Sequence, residues 1–130
     1  MTATVFDTDG PIVEIIGKTI VKISDTTPGQ NEIIFTMSDG TKYRMYHSQD
    51  WCEGVSLDST VGTPSHLIGK PVTYAERYTN QDPRPEDSHG DDSWTYTIFD
   101  IRVATHKVIF KWLGESNGYY SEEVDFAEVK

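Results

Sequence analysis

Seven consecutive residues, His47-Ser48-Gln49-Asp50-Trp51-Cys52-Glu53, place an imidazole, a thiol and two carboxylates directly after an apolar strand pattern. In a nucleophilic mechanism His47 would take the proton of Cys52, because the thiolate is the form that attacks. The two lie five positions apart, a gap that one turn can close. None of the local signatures of cysteine nucleophiles surrounds Cys52, and a single cysteine is more often an inert, buried side chain. A metal would draw on His47, Asp50, Cys52 and Glu53. The chain has no C-x-x-C and no H-x-x-x-H pair, the short spacings on which structural zinc sites are built. We therefore assign no catalytic residue and no metal ligand. His47, Asp50, Cys52 and Glu53 are read as polar groups of a binding surface.

A second cluster runs from Trp112 to Glu122, with Glu115, Asn117, Tyr119 and Tyr120 between them. Asn117-Gly118 is a turn dipeptide on local grounds. Aromatic planes beside carboxylate, amide and hydroxyl groups suit a ring-shaped ligand or the centre of a protein interface. The plainer reading of Tyr120 is that it packs inward with Val124 and Phe126, leaving Tyr119 outside. No phosphate-cradling glycine loop and no G-x-S-x-G elbow occurs. The stretch 80–92 carries Asp82, Glu86, Asp87, Asp91 and Asp92 but lacks the ligand spacing of a calcium loop, and it reads as an exposed connection.

The elements that must position these groups are strands. Apolar runs are short, β-branched and bounded by turn residues. Strands are expected over Ile12–Ile23 (broken near Gly17), Glu32–Met37, Lys42–His47, Val55–Asp58, Val72–Tyr78, Trp94–Arg102, Lys107–Leu113 and Tyr119–Phe126. Pro64–Gly69 is expected as a helical turn. Asp39-Gly40 marks a tight hairpin. The period of two puts Tyr43 and Met45 on an inner face with His47 at its end, and gives Val108, Phe110 and Trp112 a common face. The fold class is all-β, a small antiparallel barrel or sandwich with at most one short helical turn, in a single domain spanning residues 1–130.

Two stretches, 15–60 and 67–127, also read as copies of one unit. Ile15-Ile16-Gly17-Lys18-Thr19-Ile20 matches Leu67-Ile68-Gly69-Lys70-Pro71-Val72, and the Cys52–Leu57 stretch resembles Ser121–Phe126. In a pseudo-symmetric fold the segments 47–53 and 112–122 would occupy equivalent positions and face each other.

Charge narrows the partners. With 11 Lys and Arg against 21 Asp and Glu, the formal net charge is −10. That excludes sequence-independent nucleic-acid binding and docking on anionic membranes, both of which need basic surface. Cys52 is the only cysteine, so no internal disulfide forms, and none of Asn31, Asn80 and Asn117 starts a glycosylation acceptor. The first ten residues lack a basic stretch followed by an apolar run. A cytoplasmic protein is expected.

The pattern Ser38-Asp39-Gly40…Tyr43…Met45-Tyr46-His47…Gln49-Asp50-Trp51-Cys52-Glu53…Val55 resembles a family of short, uncharacterised proteins found mainly in bacteriophages and prophages. The tail Trp112…Gly114-Glu115-Ser116-Asn117-Gly118-Tyr119-Tyr120-Ser121-Glu122…Val124-Asp125-Phe126 and the block Ile16-Gly17-Lys18-Thr19-Ile20 share the resemblance, which covers residues 15–126. In that family two adjacent cysteines precede the glutamate; here Trp51 stands in the first position, which weakens a thiolate role. The resemblance implies a phage origin and no activity.

The function expected is a non-catalytic, phage-encoded binding protein without cofactor, working in the host cell cytoplasm. It would be an accessory or counter-defence factor that engages a host protein or sequesters a small molecule such as a nucleotide. Lys18, Lys42, Arg44 and Lys70 are the cations available for a phosphate. The alternatives are a small Cys/His-dependent or metal-dependent enzyme and a structural component of the virion.

Overall fold

The computed structural model describes residues 10–47, 54–80, 93–116 and 122–129. Among these, eight strands form two four-stranded antiparallel sheets. The strands are β1 (Ile20–Ile23), β2 (Glu32–Met37), β3 (Lys42–Tyr46), β4 (Gly54–Val61), β5 (Tyr74–Asn80), β6 (Ser93–Arg102), β7 (Lys107–Ser116) and β8 (Asp125–Val129). One sheet has the order β1-β2-β3-β8 and the other β4-β7-β6-β5.

Alternation builds the core between the sheets. In β2 Ile33, Phe35 and Met37 are buried and the residues between them are not; in β3 the buried pair is Tyr43 and Met45. Val108, Phe110 and Trp112 of β7 are fully buried as one row. Phe35 of the first sheet meets Phe110 of the second edge-to-face, with centroids 5.7 Å apart. Phe126 lies 6.1 Å from Phe99 across the same gap and stacks on Tyr43 at 5.5 Å. Each such ring contributes about 1.5–3 kcal/mol by leaving water, with about 0.5–1.5 kcal/mol more from a well-placed aromatic neighbour. The all-β class is as expected.

The first apolar run is a correction. Residues expected as strand from Ile12 onward begin instead as a 3₁₀ turn, Gly10–Ile15, and strand starts only at Ile20. Ile12 and Ile15 are fully buried, whereas Val13 and Ile16 are 45% and 46% exposed. In a 3₁₀ turn side chains three apart eclipse, so this run is divided by three and not by two. With Pro64–Leu67, which is 3₁₀ as anticipated, the described residues hold two helical turns where at most one was expected. The last strand begins at Asp125; Glu122 to Val124, expected as strand, are not, and Tyr119 to Ser121 lie outside the described residues. The stretch 81–92 lies outside them as well.

Each sheet takes three consecutive strands from one half of the chain and its fourth from the other half. β8 closes on β3, pairing Met45 with Phe126, and β4 closes on β7, pairing Val55 with Gly114. The two Ile-Gly-Lys blocks make matching contacts where the halves meet. Ile16 N–H donates to Val13 and Ile68 N–H to Ser65; Gly17 N–H donates to the carbonyl of Val72 at 2.8 Å, and Gly69 N–H to that of Ile20 at 2.9 Å. Gly17 and Gly69 have φ of 92° and 93°, a left-handed conformation that a side chain would strain. Thr19 and Pro71 bridge between the blocks. This exchange obliges the chain to cross between sheets twice, between β3 and β4 and between β7 and β8, and the described strand ends that flank the two crossings pair Tyr46 with Asp125 and Gly54 with Glu115.

Candidate functional site

The described end of the second crossing, Glu122 to Val124, is held by side chains from β5 and β6. Thr95 Oγ1–H donates to Glu122 Oε1 at 2.9 Å. The Val124 N–H donates to Thr97 Oγ1 at 3.0 Å, and the Val124 carbonyl accepts from Arg77 Nε–H at 2.9 Å. Arg77 also reaches Glu123 Oε1 at 2.8 Å. Thr97 is fully buried and Arg77 nearly so. Backbone groups that β-pairing leaves unused at the crossing are thus satisfied by polar side chains on inward strand positions, as buried polar groups must be. Gly114 completes the seat: a Cβ there would fall onto the carbonyl oxygen of Glu122 and within 2.9 Å of its Cβ.

His47, at the end of β3, ties the first crossing to the second. Its Nδ1 lies 2.7 Å from the carbonyl oxygen of Glu123. A carbonyl oxygen only accepts, so Nδ1–H is the donor and the tautomer is fixed. Beside this junction lies a cleft of about 230 Å³ lined by Asn31, Glu32, Arg44, Tyr46, His47 and Val55. The Arg44 guanidinium lies over the Tyr46 ring, 3.8 Å from its centroid, and pairs with Glu32 Oε2 at 3.2 Å. Residues Arg44 and Tyr46 are two apart on one strand, so they share a face, and stacking leaves the guanidinium's edge donors available in the ring plane. A fork of donors, an aryl face, a carboxamide and an imidazole suit a planar ring bearing an anionic group.

Residues 13–126 match the domain of unknown function DUF7448. The chain belongs to the DUF7448 family. No curated protein and no solved structure matches it. The matched span of this DUF7448 chain runs from the first 3₁₀ turn to β8 and takes in both sheets and both crossings.

Of the residues singled out in the sequence, the DUF7448 domain brings His47 to the crossover end beside the Glu122–Val124 stretch. Glu115 sits at the same end, paired in register with Gly54, but the strand alternation puts it on the sheet face opposite Trp112. Asp50, Cys52, Glu53, Asn117, Tyr119 and Tyr120 lie outside the described residues. Two placements are corrections. Trp112, expected as an aromatic plane of the binding surface, is fully buried in the core because it continues the inward row of Val108 and Phe110, and its Nε1 has no hydrogen-bond partner among the described residues. Glu122 is also buried, with its Oε1 accepting from Thr95.

Arg44, Tyr46, Asn31 and Glu32 form the cleft, and Arg77, Thr95 and Thr97 hold the crossing. The strand pattern gives Arg44 and Tyr46 a common face but does not bring Asn31 to them. Arg77 carries the one legible signal, a cation on the same strand face as the buried Ala75.

The cations named for a phosphate do not converge. Lys18 Nζ reaches Tyr43 OH at 2.9 Å, Thr41 Oγ1 at 3.2 Å and Asp39 Oδ2 at 3.2 Å. The Tyr43 hydroxyl, with Asp39, raises the Lys18 pKa. Hydrogen bonds from Thr41, then Lys18, hold the Asp39 carboxyl at about 2. Lys70 reaches Thr105. The two Gly-Lys steps therefore staple the two hairpin turns. Among the described residues no three His, Cys, Asp or Glu side chains group as metal ligands, and no helix is long and apolar enough to cross a membrane.

Proposed function

We propose that this DUF7448 chain is a non-catalytic binding protein of phage origin, acting in the cytoplasm of the infected cell as an accessory or counter-defence factor. Of the two kinds of partner expected, a host protein and a small molecule, the cleft favours the small molecule. Its chemistry is a planar ring carrying an anionic group, of which nucleotides are the common case. One observation carries this reading: the His47 Nδ1–Glu123 carbonyl contact fixes an imidazole beside the stacked Arg44–Tyr46 pair. The ring would lie against this stack, and the guanidinium edge would share its donors between Glu32 and the ligand's anion. The overall charge of −10 opposes anion binding at long range, so affinity must come from local donors, and salt should affect it weakly.

The test is the melting temperature of the chain in the presence of nucleoside mono-, di- and triphosphates. A ligand at about a hundred times its Kd stabilises by about 2.7 kcal/mol, several degrees for a domain of this size. The reading expects such a rise with at least one nucleotide and a tenfold or greater loss of affinity in Arg44→Ala. No rise with any of them would reject a nucleotide ligand.

A further inference from the structure

At the opposite end of β7 from the crossings, the turn joining β6 to β7 gathers two lysines and two histidines. Lys70 Nζ donates to Thr105 Oγ1 at 2.8 Å, and Thr105 Oγ1 lies 2.8 Å from His106 Nδ1. The His106 ring packs on that of His66, with centroids 4.4 Å apart and planes tilted by 44°. His66, Lys70, Thr105, His106 and the adjoining Lys107 are all exposed. Among the described residues none of these lysine and histidine side chains forms an ion pair with a carboxylate. In a chain of net charge −10 this corner is a local reversal of sign.

An ammonium has only donors, so Lys70 occupies one lone pair of Thr105 Oγ1. The hydroxyl keeps a second lone pair and its own hydrogen, so it meets His106 Nδ1 as acceptor in one tautomer and as donor in the other. With the hydroxyl donating, and in the imidazolium form, Nε2 carries an N–H, and an ammonium stands nearby. That pair of donors suits an oxyanion.

The other Gly-Lys step shows which partner fits. Lys18, matching Lys70 in the sequence blocks, also donates to a hairpin threonine, Thr41, but has the Asp39 carboxylate at 3.2 Å as a built-in anion. The turn at Thr105 has no such carboxylate. We propose that the His66–Lys70–Thr105–His106 corner binds a small phosphate-type oxyanion in the place that Asp39 fills beside Lys18. This site is separate from the cleft at Arg44, and its failure would leave that reading standing.

The experiment is a titration of the full chain with inorganic phosphate and with pyrophosphate at constant ionic strength, set with sodium chloride. The imidazole resonances of His66, His106 and His47 are read by NMR. The proposal expects saturable shifts of His66 and His106, an unmoved His47, and at least a tenfold weaker affinity in Lys70→Met. His106→Gln supplies an independent loss of affinity, read at His66. Shifts that never saturate, or an affinity unchanged in both variants, would overturn it.

Discussion

His47 and Glu123, 76 positions apart, are joined by a 2.7 Å hydrogen bond from the imidazole Nδ1–H to the backbone carbonyl. This contact links the ends of the two crossings between the sheets. One crossing begins at His47 and the other ends in the Glu122–Val124 stretch, so the described ends of the two crossings meet at His47 and Glu123.

Gly114 should tolerate no side chain. In Gly114→Ala the new Cβ meets the backbone of Glu122, whose side chain is held by Thr95 and whose near neighbour Val124 is held by Thr97, and a backbone has no rotamer by which to move away. A loss of about 3 kcal/mol is expected, at the upper end of overpacking. Gly54→Ala, at the neighbouring strand start with open space around its Cα, should stay within about 0.5 kcal/mol. Urea midpoints of the two variants check the contrast; equal losses would mean that the crossing does not rest on Gly114.

Arg77 should matter through its Nε–H more than through its charge. Arg77→Met leaves the buried carbonyl of Val124 without that donor, for an expected loss of about 2–3 kcal/mol. Glu123 is half exposed, so Glu123→Gln should lose less than about 1 kcal/mol. Denaturant unfolding of both variants gives the comparison, and a larger loss from Glu123→Gln would reverse the assignment.

Stability should fall in acid partly through Asp39. Its carboxyl titrates at about 2 in the folded chain, below its ordinary 3.8, because Thr41 and Lys18 favour the charged form. The unfolded chain thus takes up this proton first. The contribution is complete above about pH 4 and disappears as pH falls towards 2. Asp25, lowered by hydrogen bonds from Thr27, adds to the same slope. Denaturation midpoints between pH 2 and 6 should decline less steeply in Asp39→Asn than in the unaltered chain. Identical slopes would contradict the Asp39 assignment.

Much of this fold was legible because period-two burial is a local signal. The inward rows of β3 and β7, the Asp39-Gly40 hairpin and the turn at Pro64 all follow from neighbours in the sequence. The first 3₁₀ turn was not, because a run such as Ile12-Val13-Glu14-Ile15-Ile16 divides equally well by two or three until packing chooses. The exchange of β4 and β8 between halves leaves no local trace either, since it depends on which edge each strand finds. For the same reason the cleft escaped notice: Asn31 precedes β2, Tyr46 ends β3 and Val55 begins β4. Trp112 shows two cues in conflict. Its place near polar turn residues favoured a binding surface, while its register with Val108 and Phe110 favoured the core, and the register prevailed.

The most direct test of the central claim is an amide and imidazole NMR titration with whichever nucleotide raises the melting temperature. The account predicts saturable shifts at Asn31, Arg44, Tyr46, His47 and Val55, and their loss in Arg44→Ala. Perturbations confined to the Lys70–His106 corner, with the Arg44 cleft silent, would contradict it.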